Sequence, residues 1–275
     1  MNPLRNGYVQ QITVGLDIGT NSITCAIGQI IPDSKRVKLL GISSTSSAGI
    51  KRGVITNRDE LIKKLEIVMT ESELMADTKV ASAILSITGD HIRCLNTQAA
   101  IALNRVNGVA GGLSERVINE NDINQVLDLA QAVSLPVDRD ILHTLPQEYI
   151  VDTLEEIKNP AGMTGRRLEG RIHLVTAATT AMNNLVSCVE ELGILVDGLV
   201  FQPLASAVAT LEKDEMELGV TLVEIGSSTT NIAIYHNGAV RHSAIIPIGS
   251  SSITNDIAVM LQVSIRDAEK IKMKY

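Results

Sequence analysis

Apolar residues along the chain switch between two periods, and the switches divide it into elements. In TVGLDIGTNSITCAIGQI (residues 13–30) they alternate around a short polar tip, which predicts strand, tight turn, strand. VKLLGISS (37–44) predicts a third strand. From residue 56 the period lengthens, and Leu61, Ile62, Leu65 and Val68 share one helical face. Asn57, with Glu60 three residues later, supplies a capping-box-like start. VASAILSITG (80–89) and HIRCLNTQAAIAL (91–103) predict strands, and residues 104–115 a loop. Ile123, Val126, Leu127, Ala130 and Val133 mark a second helix, with Asn119 and Asp122 suited to its start. Residues 141–152 are extended and 159–167 form a loop, in a region punctuated by Pro136, Pro146 and Pro160.

A βαβ rhythm then returns. Residues 169–177 predict a strand, 179–193 a helix ended by Gly193, and 195–201 a strand. Residues 202–219 predict one helix with Pro203 in its first turn, where proline is tolerated. A strand pair over 222–235 and helices over 252–262 and 265–275 complete the chain. The expected organisation is a first lobe core over 1–86, a small inserted α+β unit over 87–166, and a third segment, 167–275, that returns to the first lobe and begins a second.

The strand-turn-strand unit occurs twice. LDIGTNSITCAI (16–27) aligns with VEIGSSTTNIAI (223–234), placing Asp17 on Glu224, Gly19 on Gly226, Thr20 and Asn21 on Ser227 and Ser228, and Ser22 on Thr229. One Gly- and hydroxyl-rich turn is usually only a turn. Two copies, each behind an acid at a strand end, suggest two similar lobes with opposed turns. Hydroxyls and backbone N–H groups there would make an anion pocket, and the two acids could hold a hydrated Mg²⁺. The competing reading is an old duplication without a ligand.

Composition narrows the classes. The 275 residues are 45% hydrophobic and 20% charged, with one Phe, four Tyr and no Trp, so the core is aliphatic. With a net charge of −7 and no basic block, a nucleic-acid partner is not expected. Cys25, Cys94 and Cys188 lie far apart among apolar neighbours and are read as reduced thiols of a cytoplasmic protein. The five histidines show no metal-ligand spacing. The first eleven residues lack a signal-peptide core, and no apolar run is long enough to span a bilayer.

The two hairpins resemble the phosphate loops of actin-like ATPases. GLDIGT, GIKRGVITN, SITGDHIRCLN, LPQEYIVD, IKNPAGMTGRRLEGRIHLVT, QPLASA, ELGVTLVEIG, ITNDIA and AEKIKMKY run in the order of the FtsA family over nearly the whole chain. The LPQEYIVD…IKNPAGMTG stretch is the most specific, because it lies in the insertion that sets that family apart. The resemblance implies an α/β, actin-like (ribonuclease H-like) fold of duplicated βαβ lobes, with an inserted small α+β subdomain and an incomplete second lobe. It implies ATP and Mg²⁺ as cofactors. Asp17, Gly19, Thr20 and Asn21 would form the first phosphate loop, and Glu224, Gly226, Ser227, Ser228 and Thr229 the second. Asp17 and Glu224 would hold the metal through water. Gln202 would stand near the metal or attacking water, and Glu269 and Lys272 would contact ribose and adenine. From spacing alone, those last two read as a solvated i,i+3 pair.

By the same resemblance the partners are FtsZ, the tubulin-like division protein, and other division proteins. Self-association and a peripheral contact at the cytoplasmic face of the inner membrane, at the division septum, are also implied. The chain is read as a truncated member, without the anchor helix and the rest of the second lobe. Its second loop departs from the family's usual Asp-Ile-Gly-Gly-Gly-Thr-Thr-Asp at Glu224, Ser227, Ser228 and Asn231, and Ser22 replaces a frequent lysine. Glycine lets backbone approach a phosphate closely, so these departures predict weaker or slower chemistry, at most a weak ATPase. The alternatives are an actin-fold ATPase or phosphotransferase of chaperone or sugar-kinase type, and a PilM-like pilus assembly scaffold.

Overall fold

The computed structural model describes residues 11–32, 36–103 and 116–275. The loop expected over 104–115 and the N-terminal residues 1–10 lie outside them. In chain order the elements are β1 (Ile12–Ile18), β2 (Ser22–Ile31), β3 (Arg36–Ser46), β4 (Ile50–Lys51), β5 (Val54–Ile55), α1 (Arg58–Ala76), β6 (Ser82–Ile87), β7 (Arg93–Ala102), β8 (Arg116–Val117), α2 (Glu120–Gln131), β9 (Arg139–Val151), β10 (Leu154–Ile157), β11 (Thr164–Gly165) and β12 (Arg167–Ala178). There follow α3 (Thr179–Glu190), β13 (Leu195–Phe201), α4 (Gln202–Thr210), α5 (Lys213–Leu218), β14 (Val220–Ile225), β15 (Thr230–His236), β16 (Ala239–Ile246), α6 (Ser250–Leu261) and α7 (Ile265–Lys274). They form two compact units. One comprises residues up to Thr88 together with Ala181–Val200, the other Gly89–Thr180 with Phe201–Tyr275.

The first unit is built on a five-stranded sheet in the order β13-β6-β1-β2-β3. β1, β2 and β3 form an antiparallel meander, and β6 lies parallel to β1 with Leu16 opposite Leu85. A parallel neighbour needs a crossover, which α1 supplies. Asn57 Oδ1 accepts from Glu60 N–H at the start of α1, and Leu61, Leu65, Val68 and Met69 are buried. The helix packs on β2 and β3, where Ile23, Cys25 and Ile27 are fully buried.

In the second unit, the sheet β10-β9-β12-β7 carries α2 on one face. Val126 and Ala130 of α2 join Leu168, Ile172 and Leu174 of β12 in one buried cluster. Asn119 and Asp122 close a complete capping box at the helix start. Pro146 sits inside β9, beside a register shift that relieves the ladder of its missing N–H.

The same unit holds a three-stranded sheet, β14-β15-β16, antiparallel throughout. A polar seam joins β16 to the larger sheet. His173 Nδ1 lies 2.6 Å from Asn96 Oδ1, and its Nε2 lies 2.7 Å from Ser243 Oγ. Gln147 Nε2 donates to the carbonyls of Val240 and Arg241, and Asn96 Nδ2 donates to Arg241 O. Glu148 pairs with both Arg171 and Arg241.

Residues 202–219 form two helices rather than the one expected. Leu211 is extended (φ −97°, ψ 140°), and Glu212 starts α5 with a capping box closed by Glu215. Local capping outweighs the helix propensity of this charged stretch. Among the described residues no helix is long and apolar enough to cross a membrane.

Candidate functional site

The two hairpin tips close with the same turn hydrogen bond. At the first tip Gly19 N–H donates to Ser22 O at 3.0 Å, and at the second Gly226 N–H donates to Thr229 O at 2.9 Å. Asp17 faces Thr24 across its hairpin, and Glu224 faces Asn231 at the corresponding position of the other. A Cβ added to Gly19 would lie 2.9 Å from Ser22 O, and one on Gly226 would lie 3.0 Å from Thr229 O. A side chain at Gly19 would force its turn to shift, and one at Gly226 would crowd Thr229 O.

In the first unit, Ser86 Oγ donates to Asp17 Oδ1, across the parallel β1–β6 pairing. Asn21 O accepts from Ser47 N–H at 2.9 Å, which holds the tip against the end of β3. Thr20 is half-buried and Asn21 exposed.

In the second unit, Gly226, Ser227 and Ser228 are half-buried, while Thr229 and Asn231 are buried. The start of α6 is fastened to this tip. Ser250 N–H donates to Gly226 O and Ser251 N–H to Ser227 O, each at 2.9 Å. Ser251 Oγ donates to Ser227 O as well, and Thr230 Oγ1 to Ile248 O. Gly249 is required by this approach, since a Cβ there would lie 2.5 Å from Ser227 O.

Glu224 is the best-connected acid of the tip. Its Oε1 accepts from Gln202 Nε2 at 2.9 Å and from Ser206 Oγ at 2.8 Å, and its Oε2 accepts from Asn231 Nδ2 at 2.9 Å. Gln202 is placed by the start of α4. There Phe201 N–H donates to His143 Nε2 of β9 at 2.9 Å. Burial pushes the pKa of His143 down, which suits a neutral ring that accepts a hydrogen bond.

Glu269 and Lys272 of α7 meet 2.7 Å apart, and both bond Thr254 of α6. Lys272 and Thr254 hold the Glu269 carboxyl below its ordinary pKa. Lys272 Nζ also approaches Ser250 O at 3.4 Å, so this cluster adjoins the residue that caps the second turn. The second unit thus gathers Gln202, Glu224, Gly226, Ser227, Glu269 and Lys272 into one region. Asp17, Gly19, Thr20 and Asn21 belong to the other unit.

A hydrated metal needs carboxylate oxygens with capacity to spare. Oε1 of Glu224 accepts two hydrogen bonds from neutral donors of the protein and Oε2 one, which leaves Oε2 an acceptor position for a metal-bound water. Among the described residues no group of three or more His, Cys, Asp or Glu could hold a metal ion. Sequence reasoning missed Ser206, Thr254, Ser250 and Ser251. Of these only Ser206 left a signal, since it stands one helical turn after Gln202. Asn231, which departs from the family's aspartate, donates to Glu224.

A meander crossing over through a helix to a parallel strand, with a second meander beginning again, is the actin-like fold. Solved structures agree. The PilM-PilN type IV pilus biogenesis complex matches with a TM-score of 0.69 at 13% identity, over 96% of this chain and 69% of that one. The ethanolamine utilization protein EutJ from Carboxydothermus hydrogenoformans matches with a TM-score of 0.54 at 14% identity, over 98% and 63%.

Sequence comparison is more specific. Residues 89–176 match the model of the SHS2 domain inserted in FTSA, and residues 221–275 match that of cell division protein FtsA. The cell division protein FtsA of Pseudomonas aeruginosa is 41% identical over 265 residues, and that of Escherichia coli K12 is 35% identical over 266. These alignments cover 96% and 97% of this chain and 61% of each relative, so the chain spans about three fifths of their length. The chain belongs to the FtsA family.

Proposed function

We propose that this chain is a cell division scaffold of the FtsA type that binds ATP through its two hairpin turns. The observation that carries the reading is the matched pair of tips, each a glycine with little room for a Cβ, followed by small polar residues and preceded by an acid. In a family of division proteins, such turns are best explained as phosphate-binding elements. Mg²⁺ would accompany the triphosphate, with Asp17 and Glu224 as the acids that hold it through water. Glu269 and Lys272 would lie toward the nucleoside.

The reading extends to partners by family membership. FtsZ and later division proteins are the expected contacts, the insertion is the recruiting surface, and the septal face of the inner membrane is the place of action. Self-association belongs to the same reading. Hydrolysis is at most weak, because the departures in the second turn alter its chemistry. Two measurements test this. A fluorescent ATP analogue should bind the purified chain and be displaced by ATP. Division proteins, and not pilus components, should be recovered with it from cells. Phosphate release stimulated by a sugar or an unfolded peptide would favour the phosphotransferase or chaperone alternative instead.

A further inference from the structure

Away from the hairpin turns, the second unit holds a pair of arginines without acid partners. Arg93 of β7 and Arg139 of β9 meet around Thr176 of β12. Arg139 donates through Nε and Nη2 to Thr176 Oγ1 and through Nη2 to Thr176 O, and Thr176 Oγ1 donates to Arg93 O. Arg93 uses only Nη1, on the carbonyls of Asp90 and Ile92. Among the described residues neither arginine forms an ion pair. Nη1 of Arg139, and Nε and Nη2 of Arg93, are left over as donors. Burial, and next the charge of Arg93, push the pKa of Arg139 down, as expected where one guanidinium repels another. Beside them both ring nitrogens of His91 are buried without a hydrogen-bond partner. A buried polar group in that state calls for a water, an ion or a ligand.

The cluster adjoins a cavity of about 320 Å³, lined by the start of β7 and the end of β16. This is the lower end of the range for small-molecule pockets. Arg93, His242 and Asp90 form its polar wall, and Ile92, Ile245 and Pro247 its apolar one. Cys94, which also lines the cavity, lies in the field of both arginines. One acid, Asp90, stands against the two guanidiniums. The excess of positive charge is costly in a partly buried place unless something neutralises it.

We propose that this cavity binds a small organic oxyanion. Its phosphate or carboxylate group would lie on the guanidinium of Arg93, in the field of Arg139, and its compact apolar body against Ile92, Ile245 and Pro247. The guanidinium fork matches the oxygens of such a group in geometry as well as charge. This site is distinct from the hairpin turns and does not depend on the nucleotide reading.

The test is an NMR titration of the isotope-labelled chain with phenyl phosphate, with phenol as the uncharged control. Saturable amide shifts should appear at residues 90–94 and 242–247, with a millimolar or tighter Kd, and phenol should produce none. Combining Arg93→Gln with Arg139→Gln should weaken binding about tenfold or more, as for lost hydrogen bonds between charged groups. If that double variant does not fold, Arg93→Gln alone carries the comparison, since its guanidinium bonds only neighbouring carbonyls. A wild-type chain without saturable shifts at those residues, equal shifts with phenol, or unchanged affinity in the variant would overturn the proposal. Shifts confined to residues 226–230 would place the anion on the second turn and overturn it as well.

Discussion

Acidification should unlock the seam between β16 and the larger sheet, and His173 is the group through which it acts. Its ring is fully buried. Asn96 Nδ2 is committed to Arg241 O, so Asn96 turns its Oδ1 to the ring and the proton must sit on Nδ1. Nε2 is then the acceptor for the Ser243 hydroxyl. Burial, and secondarily the neighbouring His242, lower the pKa of His173 to about 4.

The sign follows from linkage. The folded pKa lies below the ordinary 6.5, so both states are neutral at pH 7 and the seam contributes in full. As pH falls from about 6.5 toward 4, the unfolded chain takes up a proton that the folded one refuses, and stability is lost. A shift of that size is worth at most about 3 kcal/mol. The assay is urea unfolding followed by circular dichroism between pH 7.5 and 4, on the wild type and on His173→Gln. The glutamine amide can still donate toward Asn96 and accept from Ser243, but it does not titrate. His91 and His143, whose pKa values burial also lowers, are present in both chains and cancel in the difference. The wild-type curve should fall toward the variant's by at most about 3 kcal/mol over that range. Parallel curves would refute the reasoning.

Three further outcomes follow from the packing and the caps. Leu65→Ala, at a fully buried position of α1, should cost about 2–5 kcal/mol in denaturant unfolding. Asn119→Ala removes the acceptor for Asn121 and Asp122 N–H groups and should cost about 1 kcal/mol by the same assay. Thr254→Val, close in shape but without the hydroxyl, should speed amide exchange in α7 while leaving α1 unchanged, because it unties Glu269 and Lys272 from α6.

Much of the fold was legible because its signals are local. The helical face of Leu61, Leu65 and Val68, the cap at Asn57 and the glycine stop at Gly193 each act within a few residues of sequence. The duplicated hairpin was legible for a different reason. Its copy doubled a weak signal, and the structure reproduces the correspondence down to the Gly19–Ser22 and Gly226–Thr229 hydrogen bonds.

What escaped was decided by competition or by distance. The break at Leu211 falls among good helix formers, where only the Glu212–Glu215 box hints at a new start. The two-residue strand β11 lies inside the loop expected over 159–167, and it pairs with β8, which lies far earlier in the chain. The surroundings of Glu224 come from α4, β14 and β15, which no spacing rule brings together. Seen in sequence, Asn231 departs from the family's aspartate; seen in the fold, it is one of three donors to Glu224.

The most direct test of the central reading is calorimetric titration of Mg-ATP into this chain and into Asp17→Ala. The account predicts saturable binding by the first and loss of that binding by the second. Identical titrations would contradict the assignment of the paired hairpins as a nucleotide-binding site.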